Sequence, residues 1–298
     1  MLEQHSRYPY RNIESRPTYE WPNGSRLAVY ISTNIEVFRF GKGKGSAIAP
    51  PDQAHSHSIY SFRDYGNRVG FWRLMELFDS LDLPAAHQMN TGVYDMHPDI
   101  LERIRQRGDE ILGHGFTNSD TQEELAEAEE RQLIADCTAR IKAEEGEAPT
   151  GWMSPWLSNT NVTLDLLQEA GYRYSMDWTA DDQPIWATTR SGRILLMPYP
   201  IENNDNRGLV WYRYTSAEFA EMLVDTFEEM LVQSKNQPLV MPISLHPFLV
   251  GRPYRLRQLR AALQHIANHR DDIWLTRPGD ICRHVEGLPK GTVVGDDA

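Results

Sequence analysis

EILGHGFTNSD, residues 110–120, decides the fold and points to the chemistry. Glu110-Ile111-Leu112 reads as a short buried strand bounded by glycine, and it delivers His114 to its carboxyl end. In parallel α/β folds catalytic groups collect at that end. Four residues on, where a second imidazole would complete a two-histidine metal clip, stands Asn118.

Outward from this segment, apolar strand-like runs alternate with amphipathic helical ones. LAVYIST (27–33) leads into Asn34-Ile35-Glu36, and PAAHQM (84–89), GWM (151–153), YRYSMD (172–177), ILLMPYP (194–200), PLVMPISLH (238–246) and DIWLT (272–276) also read as strands. Between them, helical spacing predicts helices over 70–81, 98–108, about 123–145, 162–171, 216–234 and 255–269, with a short one from about Pro278. Residues 38–58 read as a long Gly/Pro/Ser-rich insertion, and 202–215 as a loop with exposed aromatics for a lid or a subunit interface. The alternation predicts a distorted parallel (β/α) barrel of about seven strands. An open doubly wound sheet is the alternative, weakened because no Gly-rich phosphate loop follows the first strand. The expected organisation is an extended arm over 1–20, one catalytic barrel domain over 21–288 and a tail over 289–298.

Composition narrows the function. A formal net charge of -12 leaves no basic excess for nucleic acid or an anionic membrane surface. Cys137 and Cys282 lack metal-type spacing and imply no disulfide framework. With no apolar run at the N-terminus and none of membrane-spanning length, the expectation is a cytoplasmic protein.

The polar residues at predicted strand ends are Asn34, Glu36, His87, His114, Asn118, Asp177 and His246. A lone histidine is more often structural than catalytic. Recurrence at one end of successive strands is what a stability role does not require. Trp152, Trp156 and Trp178 can line a pocket for a flat ring or serve as core aromatics, and His55 and His57 read as solvated.

Five short motifs in order, NIE (34–36), HGFTN (114–118), GWMSPW (151–156), YSMDWTADDQPIW (174–186) and SLHPFLVGRP (244–253), resemble the polysaccharide deacetylase superfamily of NodB-homology domains. WPNGSRLAVYISTNIE (21–36), RDYGNRVGFWRL (63–74), DDQPIW and LVGRP resemble its allantoinase-like, cyclic-amide-hydrolase branch. The resemblance implies a NodB-type barrel and hydrolysis of a non-peptide C–N bond, usually with a divalent metal, zinc first. It places Asn34 where the family has its base aspartate and Glu36 at a metal-binding aspartate. His114 and Asn118 fall on the two-histidine motif, and His246 on the acid that attends the tetrahedral intermediate. The arginine usual in the third motif is missing from GWMSPW.

As a metal set, Glu36, His114 and Asn118 offer two strong ligands and a weak amide oxygen, so His87, Asp120 or a substrate oxygen would complete the shell. Without a metal, Glu36 or His246 activates water while Asn34 and Asn118 donate to the oxyanion. Asp177 orients a catalytic group, and Trp156, Trp178 and Asn118 contact substrate. The reading is a hydrolase of a small, cyclic amide such as a ureide or imide, acting as a homo-oligomer. The alternatives are an N-deacetylase of amino sugars, in carbohydrate metabolism, and a non-catalytic ligand-binding barrel.

Overall fold

The computed structural model describes residues 5–45 and 57–296; His55 lies outside them. Strand β1 (Leu27–Ile35) is buried along all nine residues, as a central strand covered on both faces must be. It pairs in parallel with β2 (Ala85–Met89) and with β8 (Leu239–Leu245), and its amino half pairs with β9 (Trp274–Thr276). Beyond β2 the sheet continues through β3 (Glu110–Gly113), β4 (Gly151–Trp152), β5 (Tyr174–Ser175) and β7 (Gly192–Leu196), all parallel. The edge strand β6 (Ile185–Thr189) runs antiparallel to β7. The two ends of the sheet, β6 and β8, are not joined as neighbouring strands. The segment after β7 reaches across to β8 instead, through an Asn204–Ser244 bridge and Ser244 N–H donating to Asn203 O at 2.9 Å.

This curled sheet is the distorted barrel that the alternation predicts, with nine strands rather than about seven. The sequence reading passed over β6, because a five-residue edge hairpin has no helix after it to mark its end.

Helices cover the outer face: α1 (His57–Tyr65), α2 (Phe71–Ser80), α3 (Val93–Met96), α4 (Pro98–Arg107), α5 (Glu127–Glu145), α6 (Thr163–Glu169), α7 (Ser216–Gln233), α8 (Pro247–Val250), α9 (Pro253–Ala267) and α10 (Pro278–Glu286). α5 starts four residues later than its acidic run suggests. Ala126 is extended and donates its N–H to Glu129 Oε2 at 3.0 Å, which fixes the first turn there. The expected insertion over 38–58 gives way to α1 at His57. α1 passes into α2 through a wide turn at 66–70, where a Cβ on Gly70 would collide with the Pro247 carbonyl. That glycine lets the turn lie against the carboxyl end of β8.

Side-chain parity along β1 separates two environments. Leu27, Val29, Ile31 and Ile35 pack outward into the helix layer. Ala28 and Tyr30 belong to the cluster inside the barrel. The same parity carries Ser32, Asn34 and then Glu36 up the inner wall to the mouth.

The amino-terminal arm is laid on the barrel. Arg7 grips Asp165 through both oxygens at 2.6 and 2.7 Å, Arg16 does the same to Asp181 at 2.7 Å, and the buried Trp21 donates its indole N–H to Leu239 O at 3.0 Å. At the other terminus, Trp186 N–H donates to Val294 O at 2.8 Å. Among the described residues no helix is long and apolar enough to cross a membrane.

Candidate active site

The carboxyl ends of β1, β3 and β8 deliver Glu36, His114 and His246 to one cavity of about 80 Å³, which Asn34, Asn118, Arg63 and Trp156 also line. Asn118 Nδ2 donates to Glu36 Oε1 at 2.8 Å. His246 Nε2 lies 3.7 Å from that oxygen and His114 Nε2 3.9 Å from it. Among the described residues Glu36 Oε2 makes no hydrogen bond. Asn67 donates to the Glu36 carbonyl at 2.8 Å, holding the strand end still.

Each histidine is oriented by an acceptor behind it. A carbonyl can only accept, so the contact of His114 Nδ1 with Met153 O at 2.7 Å puts the hydrogen on Nδ1 and leaves the Nε2 lone pair facing the cavity without a partner. His246 Nδ1 meets Asp205 Oδ1 at 2.6 Å, and Asp205 Oδ2 accepts the His246 backbone N–H at 2.8 Å. Burial opposes charge on His246, but the Asp205 carboxylate outweighs it and Glu36 adds to the pull, so the imidazole is raised above its ordinary value. For Glu36, burial pushes upward, while the neighbouring imidazoles in their protonated form, His114 and His246, and the Arg63 guanidinium hold the carboxyl below its ordinary value. The mouth therefore favours a carboxylate beside an imidazolium.

The amides face opposite to the expected donor role. Asn34 Nδ2 donates to Ser244 Oγ at 3.0 Å and Leu245 O at 3.3 Å, and Asn118 Nδ2 is held by Glu36. Leu245 O and the Glu36 carboxylate can only accept, so these orientations follow from chemistry. What both residues leave free is an oxygen: among the described residues Asn34 Oδ1 and Asn118 Oδ1 have no partner.

Trp156 stands at the cavity wall in the left-handed backbone region, φ 62°, its indole N–H donating to Asn118 O at 2.7 Å. Trp178 does not line the cavity and packs on His5 and Tyr8 of the arm. Trp152 is fully buried in the core. Asp177 lies behind the mouth, accepting from Ser154 N–H at 2.7 Å and Ser154 Oγ at 2.8 Å, and burial pushes its carboxyl up to about 6. It thereby fixes the residue next to Met153, whose carbonyl orients His114. His57 is exposed and stacks on Phe40.

Two expected contributors do not reach the site. His87 pairs in register with Thr33, which faces outward, so its ring also leaves the barrel. Its Nδ1 meets Thr33 Oγ1 at 2.6 Å and its Nε2 meets Asp109 at 3.1 Å. Asp120 is occupied by Arg39 at 2.9 Å and by Thr117 Oγ1 at 2.6 Å. Neither completes a metal shell on Glu36. Three residues absent from the sequence reading matter: Asp205 behind His246, Asn90, which ties Val37 to the His114 carbonyl, and Arg63. The NNDN run (203–206) flags Asp205 only as a polar loop residue.

His114 Nε2, Glu36 Oε2 and Asn118 Oδ1 are buried lone pairs without partners, which suits a cation, with one ligand weak. Among the described residues, the group of three His, Cys, Asp or Glu side chains with ligand atoms mutually within 4.8 Å is a different one, Glu228, His265 and His269. Glu228 stands on the carboxyl half of α7, His265 in the last turn of α9 and His269 in the turn just after it, segments that lead into the amino ends of β8 and β9, at the far end of the barrel from the cavity.

Residues 52–175 match the family model for polysaccharide deacetylases. The crystal structure of the PuuE allantoinase superposes with a TM-score of 0.82 at 27% identity, covering 93% of this chain and 97% of that one. A probable polysaccharide deacetylase from Pseudomonas aeruginosa PAO1 also gives 0.82, at 26% identity over 92% of this chain and 97% of the other. A peptidoglycan deacetylase of Helicobacter pylori is 23% identical over 244 residues, 71% of this chain and 82% of its own length.

Proposed function

We propose that the chain, which matches the polysaccharide deacetylase family model over residues 52–175, hydrolyses a non-peptide C–N bond of a small cyclic amide, a ureide or imide. The observation that carries this reading is the small cavity rimmed by free acceptor atoms, Asn34 Oδ1 and Asn118 Oδ1, which match the N–H groups of such a ring. Similarity to the PuuE allantoinase along nearly the whole of both chains supports the same reading.

In the proposed reaction Glu36, held ionised, takes a proton from water as the water oxygen bonds to the amide carbon. The carbonyl π pair moves to oxygen. Its return breaks the C–N bond, and the leaving nitrogen takes a proton from His246, whose imidazolium Asp205 sustains. One water is consumed, the ring opens to a single product bearing a carboxylic acid and an amide or urea nitrogen, and the proton taken up by Glu36 restores that given by His246. Asp177 acts as a positioning residue through Ser154, and Trp156 forms a flat wall for the ring.

Glu36, His114 and Asn118 would hold a divalent ion, zinc first by donor type, and such an ion would polarise the carbonyl and acidify water. Elemental analysis of the purified protein tests that part. A cytoplasmic location and a homo-oligomeric assembly, with the exposed Trp211, Tyr212 and Tyr214 as its contact surface, belong to the same proposal.

The deciding assay is turnover of a panel of succinimide, hydantoin, allantoin and N-acetylated amino sugars, with and without chelator. Hydrolysis of a ring amide is expected. Turnover of acetylated sugars with no ring amide touched would move the chain to the N-deacetylase reading, which the Helicobacter pylori relative favours.

A further inference from the structure

Amide hydrolysis needs a hydrogen-bond donor for the carbonyl oxygen as it becomes an oxyanion. A polar inventory of the cavity shows which group can supply it. The NH2 groups of Asn34 and Asn118 are engaged, and the atoms they leave free are lone pairs, which repel an anion. His114 also offers a lone pair, and the proton of His246 serves the leaving nitrogen. Of the buried side chains lining the cavity, the one whose N–H groups lack an acceptor among the described residues is Arg63, through Nε and Nη1.

Arg63 is 6% exposed, and its guanidinium is held by ring faces rather than by oxygen atoms. It lies 4.3 Å from the Phe38 centroid, 5.0 Å from Phe248 and 5.7 Å from Trp156. Such contacts fix a guanidinium while leaving its donors free. Its charge is felt by both Glu36 and His246, so it stands at the reacting end of the cavity. A buried guanidinium without an acceptor costs the fold about several kcal/mol.

We infer that Arg63 is the oxyanion-stabilising residue of this site, an N–H of its guanidinium receiving the substrate's carbonyl oxygen while charge develops there. The inference rests on the proposed amide hydrolysis but not on which amide is cleaved. Arg63 exchanges no proton: the electron pair that opens the C=O bond rests on oxygen beside the guanidinium and returns when the C–N bond breaks.

The test compares the wild-type protein with Arg63→Met and Arg63→Lys on whichever panel compound the wild type turns over. Arg63→Met should lower kcat by about 10²–10³-fold with KM nearly unchanged, and Arg63→Lys should recover part of the loss. Its melting temperature should hold or rise, because an unpaired charge leaves an aromatic nest; a structural arginine would lower it. Calorimetry with methylphosphonate, a tetrahedral anion, provides a readout without turnover: binding to wild type, and loss in Arg63→Met. A rise in KM with kcat intact, or no methylphosphonate binding to wild type, overturns the inference. If only an acetylated sugar is cleaved, the ring-amide proposal fails, while the split between kcat and KM still judges Arg63.

Discussion

His87 and His114 stand on neighbouring strands, both fully buried, and they do opposite things. His87 has a partner at each nitrogen, Thr33 and Asp109, and Asp109 is tied in turn to Arg107 at 2.6 Å. His114 has one partner and an idle Nε2 aimed at Glu36. The outward cluster is a closed circuit, as a stabilising polar network must be. At the mouth, Glu36, Asn34, Asn118, His114 and Arg63 each keep an atom with no partner among the described residues, and the proposed function gives those atoms to the substrate.

The largest effect is expected from closing the open cluster. Glu36→Gln should lower kcat by about 10³-fold with the fold intact, since an amide cannot take the water's proton. Turnover within tenfold of wild type would remove Glu36 from the base role. Next comes Asp205→Asn, expected to cost about 10²-fold. Asp205 raises His246, so the imidazolium persists to higher pH; without that carboxylate the alkaline limb of the kcat profile should move to lower pH. An unmoved limb would separate His246 from proton transfer.

What the sequence disclosed follows the same division. Strong apolar periodicity located β1, β8 and the long helices, and motif order pointed to Glu36, His114, Asn118 and His246. Facing was harder to read. His87 sits one residue from the parity that would turn it inward, and pairing register with Thr33 is a tertiary fact. Asp205 lies 41 residues before the histidine it supports, in a stretch with no periodicity. Arg63 looks in sequence like the polar face of a helix, and only the packing of Phe38 and Phe248 over it reveals a buried cation. Donor and acceptor identity at Asn34 and Asn118 likewise depends on which neighbours occupy the NH2 groups.

Breaking the closed circuit should affect stability and spare chemistry. Asp109→Ala leaves His87 Nε2 without its partner, while Arg107 keeps Asp79 and the Leu83 carbonyl, and it should cost about 1–3 kcal/mol in urea unfolding with kcat of the folded protein unchanged. Burial pushes Asp109 upward, but His87 and Arg107 outweigh it and hold it below its ordinary value. Its contribution is therefore present above the unfolded-state pKa and lost as pH falls through the lower folded one.

Asp177, behind the mouth, has the reverse sign. Its carboxyl is pushed from 3.8 to about 6, so its neutral form favours the fold; that contribution is complete below 3.8 and lost as pH rises through about 6. Over that window wild type should lose up to about 3 kcal/mol through this group, and Asp177→Asn should not. Unfolding in urea at pH 4 and pH 7 measures both slopes. Asn keeps an oxygen for Ser154 N–H, and its NH2 can donate to Ser154 Oγ, so activity should stay within a few-fold. Equal slopes in the two proteins would mean that Asp177 is compensated as fully as Asp109, and that the open cluster stops at the cavity wall.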